Sequence, residues 1–394
     1  MIKEIKLKKG RDESVRRFHP WIFSGAVACA DDSIKEGDVV RVVSSEGNFL
    51  AYGHYQEGSI SVRILSFDES VLPEGDFWVN RIKSARRMRE SLALTGTTCY
   101  RLVHGEGDGL PGLVIDIYGE VAVLQAHSAG MFLTRKEIAS ALEKVYGDAL
   151  KAVYDKSEGT APHKAGLDLN DGYLLGTYSD ESVVLENGHK FTVNWKEGQK
   201  TGFFLDQRDN RFLVGEYAKG RNVLNLFCYT GGFSIYALSC GAERVVSVDS
   251  SRSAIEMLER NIDINFSVSN VNHTSVCDDA IDYLHGVENG TFDMMIVDPP
   301  AFAKHRGALN NALRAYRRLN EAAISKIAPG GYLFTYSCSQ VVDRNMFYLT
   351  VFSAAAATGR NVRILRRLTQ PADHPVNIYH PEGEYLKGLL LYVE

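Results

Sequence analysis

Cysteine is scarce in this sequence, and no cysteines stand in the close pairs that bind metals. The 394 residues contain six, spread along the chain: Cys29, Cys99, Cys228, Cys240, Cys277 and Cys338. Because no Cys-x-x-Cys pair is present, the usual zinc patterns are excluded and we expect no metal cofactor. The first nine residues are too charged for the core of a secretory signal, so we expect a cytoplasmic protein with reduced thiols.

Long apolar runs and a strong charge of either sign are also missing. No run approaches the roughly 20 apolar residues that a membrane-spanning helix needs, so we expect no membrane contact. The net charge of −5 gives no overall attraction to nucleic acid, and any RNA contact must come from a local basic patch. With 45% hydrophobic residues, the chain is long enough for two or three globular domains.

The N-terminal region, residues 1–72, is predicted to be a small β-barrel. Short alternating segments at 38–44, 48–54 and 59–66 are separated by glycine turns. Basic residues stand beside aromatic ones near its start, a combination that suits phosphate contact and base stacking, although Trp21 itself is better explained as a core residue. The predicted RNA contacts, here called the N-terminal basic cluster, are Lys8, Lys9, Arg11, Arg16 and Arg17.

Residues 73–188 are predicted to form an α+β domain without a catalytic constellation. A helix over 76–94 is followed by strands near 113–118 and 121–127. The string Gly107–Gly112 matches the dinucleotide-binding pattern G-x-G-x-x-G, which should follow a strand and open a helix. Because Pro111 and a strand-like segment follow it here, we interpret it as a turn rather than as a cofactor loop.

Residues 189–394 alternate strands with helices, which is typical of a doubly wound, mostly parallel α/β sheet with right-handed crossovers. The predicted strands are 222–227, 244–249, 272–277, 293–297 and 331–337, with helices near 233–240, 253–265 and 309–327. Parallel strands bring their carboxyl ends to one edge of such a sheet, where ligands bind. We therefore expect the functional site at the ends of these strands.

The first three strands carry the features of a nucleotide-cofactor site. The turn Thr230-Gly231-Gly232 lets the backbone approach a ligand closely. The next strand ends on Asp249, which can bind both hydroxyls of a ribose; its alternative role is a helix N-cap. Asp278 is placed to read an adenine edge, with Asp279 as the alternative.

Because no G-x-G-x-x-G follows the first of these strands, S-adenosylmethionine is expected rather than a dinucleotide. Its predicted contacts in this half of the site are Asn225, Phe227, Thr230, Gly231, Gly232, Asp249 and Asp278.

The last two strands end on groups that suit chemistry on a pyrimidine. Strand 293–297 is followed by Asp298 and two prolines, and strand 331–337 by Cys338. A thiolate that adds to C6 makes C5 nucleophilic toward a methyl sulfonium, and Cys is the most nucleophilic ordinary side chain near neutral pH. Asp298 would hydrogen-bond or protonate N3 and draw electron density from the ring. The alternative for Cys338 is a small buried hydrophobic residue.

Nearly the whole chain resembles the RlmI-type bacterial methyltransferases that act at cytosine C5 of large-subunit (23S) ribosomal RNA. The matching strings, in order, are Lys9–Arg11, His19–Val27, Asp108–Gly112, Gly202–Arg208, Asp298–Pro300, Ser337–Ser339, Ala372–Pro375, Pro381–Gly383 and Tyr385–Gly388. Several separate strings in the same order make this resemblance more specific than any single motif.

The resemblance implies three domains: an N-terminal PUA domain that contacts ribosomal RNA, a central α+β domain and a C-terminal class I methyltransferase domain. It implies S-adenosylmethionine as the cofactor, Cys338 as the nucleophile and Asp298 as its partner. It also implies that Gly202–Arg208 covers the cofactor, with Gln207 among the contacts.

Two positions depart from the pattern of the relatives. Ala301 stands where many relatives have Lys after the two prolines, and Lys304 is a candidate substitute. No second cysteine stands beside the prolines to remove the C5 proton. His374 is a weak candidate for that role, and a packed structural role suits it better.

Other functions fit parts of the sequence. Methylation at uracil C5 would use the same thiol, whereas methylation of a base nitrogen would not need it. A ribosome-assembly factor with a relic cofactor pocket is a further class. An NAD-dependent oxidoreductase is disfavoured by the missing phosphate fingerprint. The sequence leaves open whether the chain is a monomer or a homodimer.

Overall fold

The structure is a computed structural model that describes residues 2–163, 166–179, 181–266, 271–303 and 305–394. The chain divides into two units. Unit 1 consists of Met1–Val184, Val193–Leu205 and Ala372–Gly383, and unit 2 of Leu185–Thr192, Asp206–Pro371 and Glu384–Glu394. The predicted domain boundaries near residues 72 and 188 stay predictions.

The first sheet of unit 1 has six strands in the order β2-β6-β5-β4-β1-β3. Its neighbouring strands are antiparallel except β1 and β4, which are parallel. Side chains such as Ile5, Val40 and Val62 form its own buried core. The elements are β1 (Lys3–Leu7), α1 (Glu13–Arg16), β2 (Trp21–Phe23), β3 (Val27–Ala30), β4 (Val39–Val43), β5 (Phe49–Tyr55) and β6 (Ile60–Ser66). The three strands predicted here lie within one residue of β4, β5 and β6.

The second sheet of unit 1 has the order β11-β10-β9-β8-β7 and a separate core that includes Leu102, Leu124 and Ile138. The elements are α2 (Asp76–Ser91), β7 (Cys99–His104), β8 (Leu113–Tyr118), β9 (Val121–Ala126), α3 (Ala129–Leu133), α4 (Arg135–Tyr146), β10 (Ala152–Asp155) and β11 (Gly172–Leu175). A short 3-10 turn at Gly105–Asp108 leads into β8. The string Gly107–Gly112 is therefore followed by a strand and not by a helix, as we predicted when we interpreted it as a turn.

Unit 2 is built on a seven-stranded sheet in the order β16-β15-β14-β17-β18-β20-β19. Strands β14 to β18 are parallel, and β20 is antiparallel to both of its neighbours. Its strands are β14 (Asn222–Leu226), β15 (Arg244–Asp249), β16 (His273–Cys277), β17 (Met294–Val297), β18 (Gly331–Ser337), β19 (Val362–Leu368) and β20 (Lys387–Val393). Strands β12 (Glu181–Glu186) and β13 (His189–Asn194) precede them as a two-stranded sheet.

Helices connect the strands of this sheet: α5 (Arg208–Ala218), α6 (Gly232–Ser239), α7 (Arg252–Asn265), α8 (Ala280–Gly286), α9 (Leu309–Lys326) and α10 (Arg344–Thr358). Their apolar faces recur at helical spacing, as Ile255, Leu258 and Ile262 do on α7. Ser251 starts α7 by accepting a hydrogen bond from the Ala254 amide at 3.3 Å. The doubly wound, mostly parallel α/β architecture predicted for this region is confirmed.

The strand order of unit 2 fixes where a ligand can bind. From β14 the chain moves outward through β15 to β16 and then crosses to the other side of β14 to form β17 and β18. The carboxyl ends of β14 and β17 therefore lie on either side of a topological switch point, the usual ligand crevice of such sheets. We call the ends of β14, β15 and β16 the cofactor half of the site, and the ends of β17 and β18 the base half.

Candidate active site

The loop after β14 has a strained backbone that is fixed to the end of β15. Phe227 and Tyr229 both have positive φ angles, 58° and 47°, which non-glycine residues adopt at a cost. The Asp249 carboxylate accepts the Tyr229 amide through Oδ2 and the Ser251 amide through Oδ1, each at 2.9 Å. Each oxygen keeps a second lone pair for a ribose hydroxyl. Asp249 is not the helix N-cap, since Ser251 fills that position.

The turn at Gly231 and Gly232 has no room for side chains. Gly231 has φ +84°, and a Cβ there would lie 2.6 Å from Leu258 Cδ1. A Cβ on Gly232 would lie 2.8 Å from Arg211 Cδ. Bare backbone at this point is what close approach to a ligand requires.

Two buried polar atoms near this turn lack hydrogen-bond partners among the residues that the structure describes. They are Thr230 Oγ1 and Asn225 Oδ1. The other end of the Asn225 amide donates to Ser234 Oγ at 2.8 Å, so Asn225 is fixed from within the fold. Buried polar atoms of this kind normally have a partner. Together with the glycine turn, they fit the presence of a bound polar cofactor.

The two candidates for the adenine edge have different contacts. Asp279 caps α8, where its carboxylate accepts the amides of Ile281 and Asp282 at 2.8 and 3.1 Å. Asp278 is exposed, its amide donates to the Asp249 carbonyl at 3.1 Å, and its Oδ1 accepts the Asp279 amide at 2.8 Å. Asp278 therefore stays the better candidate, because Asp279 already serves the helix.

In the base half, Asp298 and Cys338 come one residue after the ends of neighbouring strands. Strands β17 and β18 are parallel with Val297 opposite Thr335, so both end at the same edge of the sheet. Both side chains are partly exposed. The loops that follow are joined, since Ser339 Oγ donates to the Ala303 carbonyl at 2.6 Å. The fold therefore brings the carboxylate and the thiol to adjacent loops.

Gln207, predicted from the resemblance as a cofactor contact, lies against the base half. Its Nε2 donates to Asp298 Oδ2 at 2.9 Å, and its Oε1 accepts from Asn210 Nδ2 at 2.6 Å. Both ends of this buried amide are thus held. A donor fixed in this way orients the Asp298 carboxylate.

Tyr316, on the buried face of α9, was not expected from the sequence. Burial raises the pKa of its phenol to about 12, and the charges of Cys338 and Asp298 raise it as well. Tyr316 therefore stays protonated and lies near both proposed catalytic groups. Its place on the apolar face of a helix makes it look like an ordinary core residue in the sequence.

Lys387 was also missed, although it lies within the string Tyr385–Gly388. Only 4% of this residue is exposed, and its ammonium donates to the carbonyls of Ser339 and Tyr385 at 2.5 and 2.7 Å. Burial lowers the pKa of Lys387 to about 8, while the nearby Cys338 raises it. A buried cation thus lies next to the loop that carries the thiol. The sequence feature that could have indicated Lys387 is a single lysine at the start of an otherwise apolar strand.

The remaining predicted residues belong to unit 1 or lie outside the described chain. Lys304 is not among the described residues. His374 is buried in unit 1, where its Nδ1 lies 3.1 Å from Asp373 Oδ1, an arrangement that suits a packed structural role. Trp21 is half-buried and donates through Nε1 to Glu106 Oε1 at 2.8 Å.

The members of the N-terminal basic cluster are exposed. Arg16 is paired with Asp12 at 2.8 Å and Arg17 with Glu13 at 2.5 Å, each along one helical turn. Lys8 donates to the Gly25 carbonyl at 3.0 Å. The positive charges of Arg16 and Arg17 are therefore partly balanced by neighbouring acids.

Two general features hold over the described ranges. One group there could hold a metal ion, formed by His19, His380 and Glu382 of unit 1, and it contains none of the predicted site residues. In the same ranges no helix combines the length and the apolar character that crossing a membrane requires.

Comparison with known proteins identifies the class to which this fold and site belong. The model of the S-adenosylmethionine-dependent methyltransferases matches residues 138–390, and that of the PUA-like domains matches residues 5–67. Among solved structures, the chain is similar to a methyltransferase in complex with SAH, with a TM-score of 0.84 and 23% identity over 100% of both chains. It is similar to a SAM-dependent methyltransferase from Streptococcus mutans, with a TM-score of 0.83 and 23% identity over the same coverage. S-adenosylmethionine is therefore the methyl donor.

Full-length relatives narrow this class. The chain is 42% identical to the ribosomal RNA large subunit methyltransferase I of Pseudoalteromonas atlantica, over 100% of both chains. It is 40% identical to the protein of the same name from Aeromonas hydrophila, over 99% of both chains. The chain belongs to the ribosomal RNA large subunit methyltransferase I family.

Proposed function

We propose that this protein transfers a methyl group from S-adenosylmethionine to C5 of a cytosine in 23S ribosomal RNA, through a covalent bond between Cys338 and C6. The observation that carries this proposal is that Asp298 and Cys338 lie on adjacent loops beside the switch point of the sheet, and that a hydrogen bond joins these loops. A planar base between them would meet a thiol and a carboxylate.

The proposed chemistry has three steps: addition of the thiolate, methyl transfer, and elimination. The Cys338 thiolate adds to C6, and the π electron pair of the C5–C6 double bond becomes available at C5. Bound S-adenosylmethionine would supply an electrophilic methyl group, which C5 takes while the neutral thioether leaves. A base then removes the C5 proton, and the electrons of that bond expel the thiolate. The thiolate returns to its starting state, so atoms and charge balance.

The residues around this pair have supporting roles in the proposal. Asp298 hydrogen-bonds or protonates N3, which makes the ring accept the thiolate, a contribution of about 10²–10⁴ in rate for positioned acids and bases. Gln207 holds the Asp298 carboxylate in position. Lys387 places a cation near Cys338, and a nearby cation favours the thiolate form of a cysteine.

In the cofactor half, Asp249 would bind the ribose hydroxyls, and the turn 230–232 would approach the cofactor closely. Thr230 Oγ1 and Asn225 Oδ1 are the buried acceptors available to it. Phe227 would contact the cofactor through the strained loop, and Asp278 would read the adenine edge.

The RNA assignment is supported by the names of the relatives, which are ribosomal RNA large subunit methyltransferases. A base can enter the site only after leaving its stack, which favours single-stranded or loop RNA. The PUA-like domain would add contacts through the N-terminal basic cluster, and such a substrate places the enzyme in the cytoplasm.

The proposal is tested by identifying the product. Ribosomal RNA from cells that lack the gene is incubated with S-adenosylmethionine and the protein, and its nucleosides are analysed by mass spectrometry. We expect 5-methylcytidine with the wild type, none with Cys338→Ala, and normal yield with Cys240→Ala, which removes an exposed thiol just after α6, away from both halves of the site.

Other products would identify the competing functions. 5-Methyluridine would move the activity to uracil, and a nitrogen-methylated base would remove the role of the thiol. RNA binding without any methyl transfer would favour an assembly factor.

A further inference from the structure

A cavity of about 310 Å³ lies at one end of the unit 2 sheet. The first two turns of α10 form one wall, and the ends of β19 and β20 form the other. Its described lining residues are Arg344, Asn345, Phe347, Tyr348, Arg367, Leu368, Lys387, Gly388 and Leu389. We call it the basic cavity, and the proposed chemistry assigns no function to it.

The register of the sheet places the basic cavity on the edge that carries Cys338. Ser337 at the end of β18 is opposite Lys387 of β20, and Gly388 is opposite Leu368 of β19. Neighbouring strands are about 4.8 Å apart, so β19 lies about 10 Å from the strand that ends on the thiol. Lys387 belongs to both places, since it lines the cavity and donates to the carbonyl of Ser339, next to Cys338.

The charge of the lining favours an anion. Three of the described lining residues are cations: Arg344, Arg367 and Lys387. No aspartate or glutamate is among the described lining residues. Arg344 is paired with Glu384 of the neighbouring loop. Arg367 is exposed on the edge strand β19, where it is available to a ligand from solvent. An arginine fork suits the oxygen geometry of a phosphate.

The cavity also offers a surface for a base. Tyr348 lines it and is 37% exposed, although large aromatic side chains are usually more buried. An aromatic ring beside cations is the combination that proteins use for single-stranded nucleic acid, in which the bases stack and the backbone meets positive charge. A free anion such as inorganic phosphate would need the cations but not the ring.

We propose that the basic cavity binds the phosphodiester and the base of a nucleotide that flanks the target cytosine in single-stranded RNA. The phosphate contacts Arg367 and Arg344, and the base stacks on Tyr348. This proposal rests on the proposed function, because it assumes that the target base lies at Cys338. It assigns a substrate subsite to unit 2, separate from the N-terminal basic cluster of unit 1.

The test measures RNA binding with the full chain. The probe is a short, fluorescein-labelled single-stranded oligocytidylate, and fluorescence anisotropy gives the dissociation constant at several salt concentrations. Arg367→Gln should lower the slope of log K against log salt by about 0.7, the value for one phosphate contact on a single strand. Tyr348→Ala should weaken binding about tenfold.

Arg363→Gln is the matched control. It neutralises an exposed arginine on the same strand that is paired with Glu394 at 2.9 Å and does not line the cavity. We expect it to leave the slope and the affinity unchanged. A slope that falls equally in both arginine variants would show that any positive charge on this strand attracts RNA, and this result would overturn the proposal. An Arg367→Gln variant that binds like the wild type would overturn it too.

The same measurements in a Cys338→Ala background separate this proposal from the proposed function. Binding does not need the thiol, so the effect of Arg367→Gln should persist there. If the Arg367→Gln effect persists while no 5-methylcytidine is found with wild-type protein, the subsite stands and the function fails. If the wild type gives a normal 5-methylcytidine yield but Arg367→Gln has no effect on binding, the function stands and the subsite fails.

Discussion

Asp249 in the cofactor half and Asp298 in the base half both follow a parallel strand of the same sheet, but different kinds of partner hold their carboxylates. Asp249 accepts two backbone amides, from residues 20 and 2 positions away in the chain. Asp298 accepts the side-chain amide of Gln207, 91 positions away. The loop of Cys338 is likewise held by Lys387, 48 positions from Ser339. The cofactor half is thus built mainly from local backbone, and the base half from side chains that the fold brings together.

This difference predicts that variants in the two halves fail in different ways. In the proposed function Asp249 binds the cofactor, so its loss should appear as a lower affinity for S-adenosylmethionine. Asp298 acts in the chemical step, so its loss should appear as a lower rate.

Asp298→Asn should have the largest effect. We expect turnover to fall by about 10²–10⁴, the usual contribution of a positioned acid or base, while S-adenosylmethionine affinity stays normal. Single-turnover methyl transfer and calorimetry of cofactor binding measure the two quantities. Asp293 stands just before the first residue of β17, at the opposite end of the strand from Asp298. Asp293→Asn is the control and should leave turnover and cofactor affinity unchanged. Normal turnover in Asp298→Asn would remove the proposed role of this residue.

Asp249→Asn should weaken S-adenosylmethionine binding about tenfold or more, because a hydrogen bond to a charged group contributes about 1.5–3 kcal/mol. Calorimetry measures the affinity, and thermal unfolding checks that the loop of Tyr229 is kept. The rate of Cys338 alkylation should not change, since the base half is intact. Normal cofactor affinity in a folded variant would contradict the ribose role.

Lys387→Met should change how fast Cys338 reacts, with a dependence on pH. The pKa of Lys387 is lowered to about 8, so its ammonium is present below that pH and lost above it. We expect the wild type to react faster with iodoacetamide than the variant at pH 7, with the ratio falling toward one as the pH rises through 8. Mass spectrometry follows Cys338, and Cys277 in the same samples is the reference. A ratio that does not depend on pH would show that the Lys387 charge has no influence on the thiol.

Neutralising Arg16 and Arg17 should have the smallest effect. Both are exposed and paired with Asp12 and Glu13, and exposed ion pairs of this kind contribute little to either partner. We expect weaker RNA binding and a salt slope lower by at most about 1.4, that is about 0.7 for each phosphate that is no longer neutralised. An unchanged slope would exclude this part of the N-terminal basic cluster from RNA binding.

The parallel strands, and the positions of the turn and the acid in the cofactor half, could be predicted because their signals are local. Strands β15 and β18 begin and end at the predicted residues, since buried parallel strands are continuous apolar runs. The turn at Gly231 and the acid at Asp249 follow their strands directly. The fold places both at the carboxyl edge of the sheet, as a local pattern of strand, turn and acid predicts; their contacts with the cofactor stay predictions.

The base half was only partly predictable because its contacts depend on packing. Asp298 and Cys338 were found at strand ends, but Lys387 becomes relevant only because β20 inserts antiparallel between β18 and β19. Tyr316 looks like a core residue until α9 packs it near the two proposed catalytic groups. Gln207 was assigned to the cofactor from a resemblance, which stays a prediction, and its contact with Asp298 was not foreseen. Nothing in the sequence near these residues indicates which distant partner they meet.

Trapping the covalent intermediate tests the central claim most directly. RNA with 5-azacytosine in place of cytosine has a nitrogen at position 5 and no proton to lose, so the enzyme cannot be released after methyl transfer. We predict a protein–RNA complex that survives a denaturing gel, needs S-adenosylmethionine, and carries the RNA on Cys338 in peptide mass spectrometry. An equally abundant complex from Cys338→Ala would contradict the account.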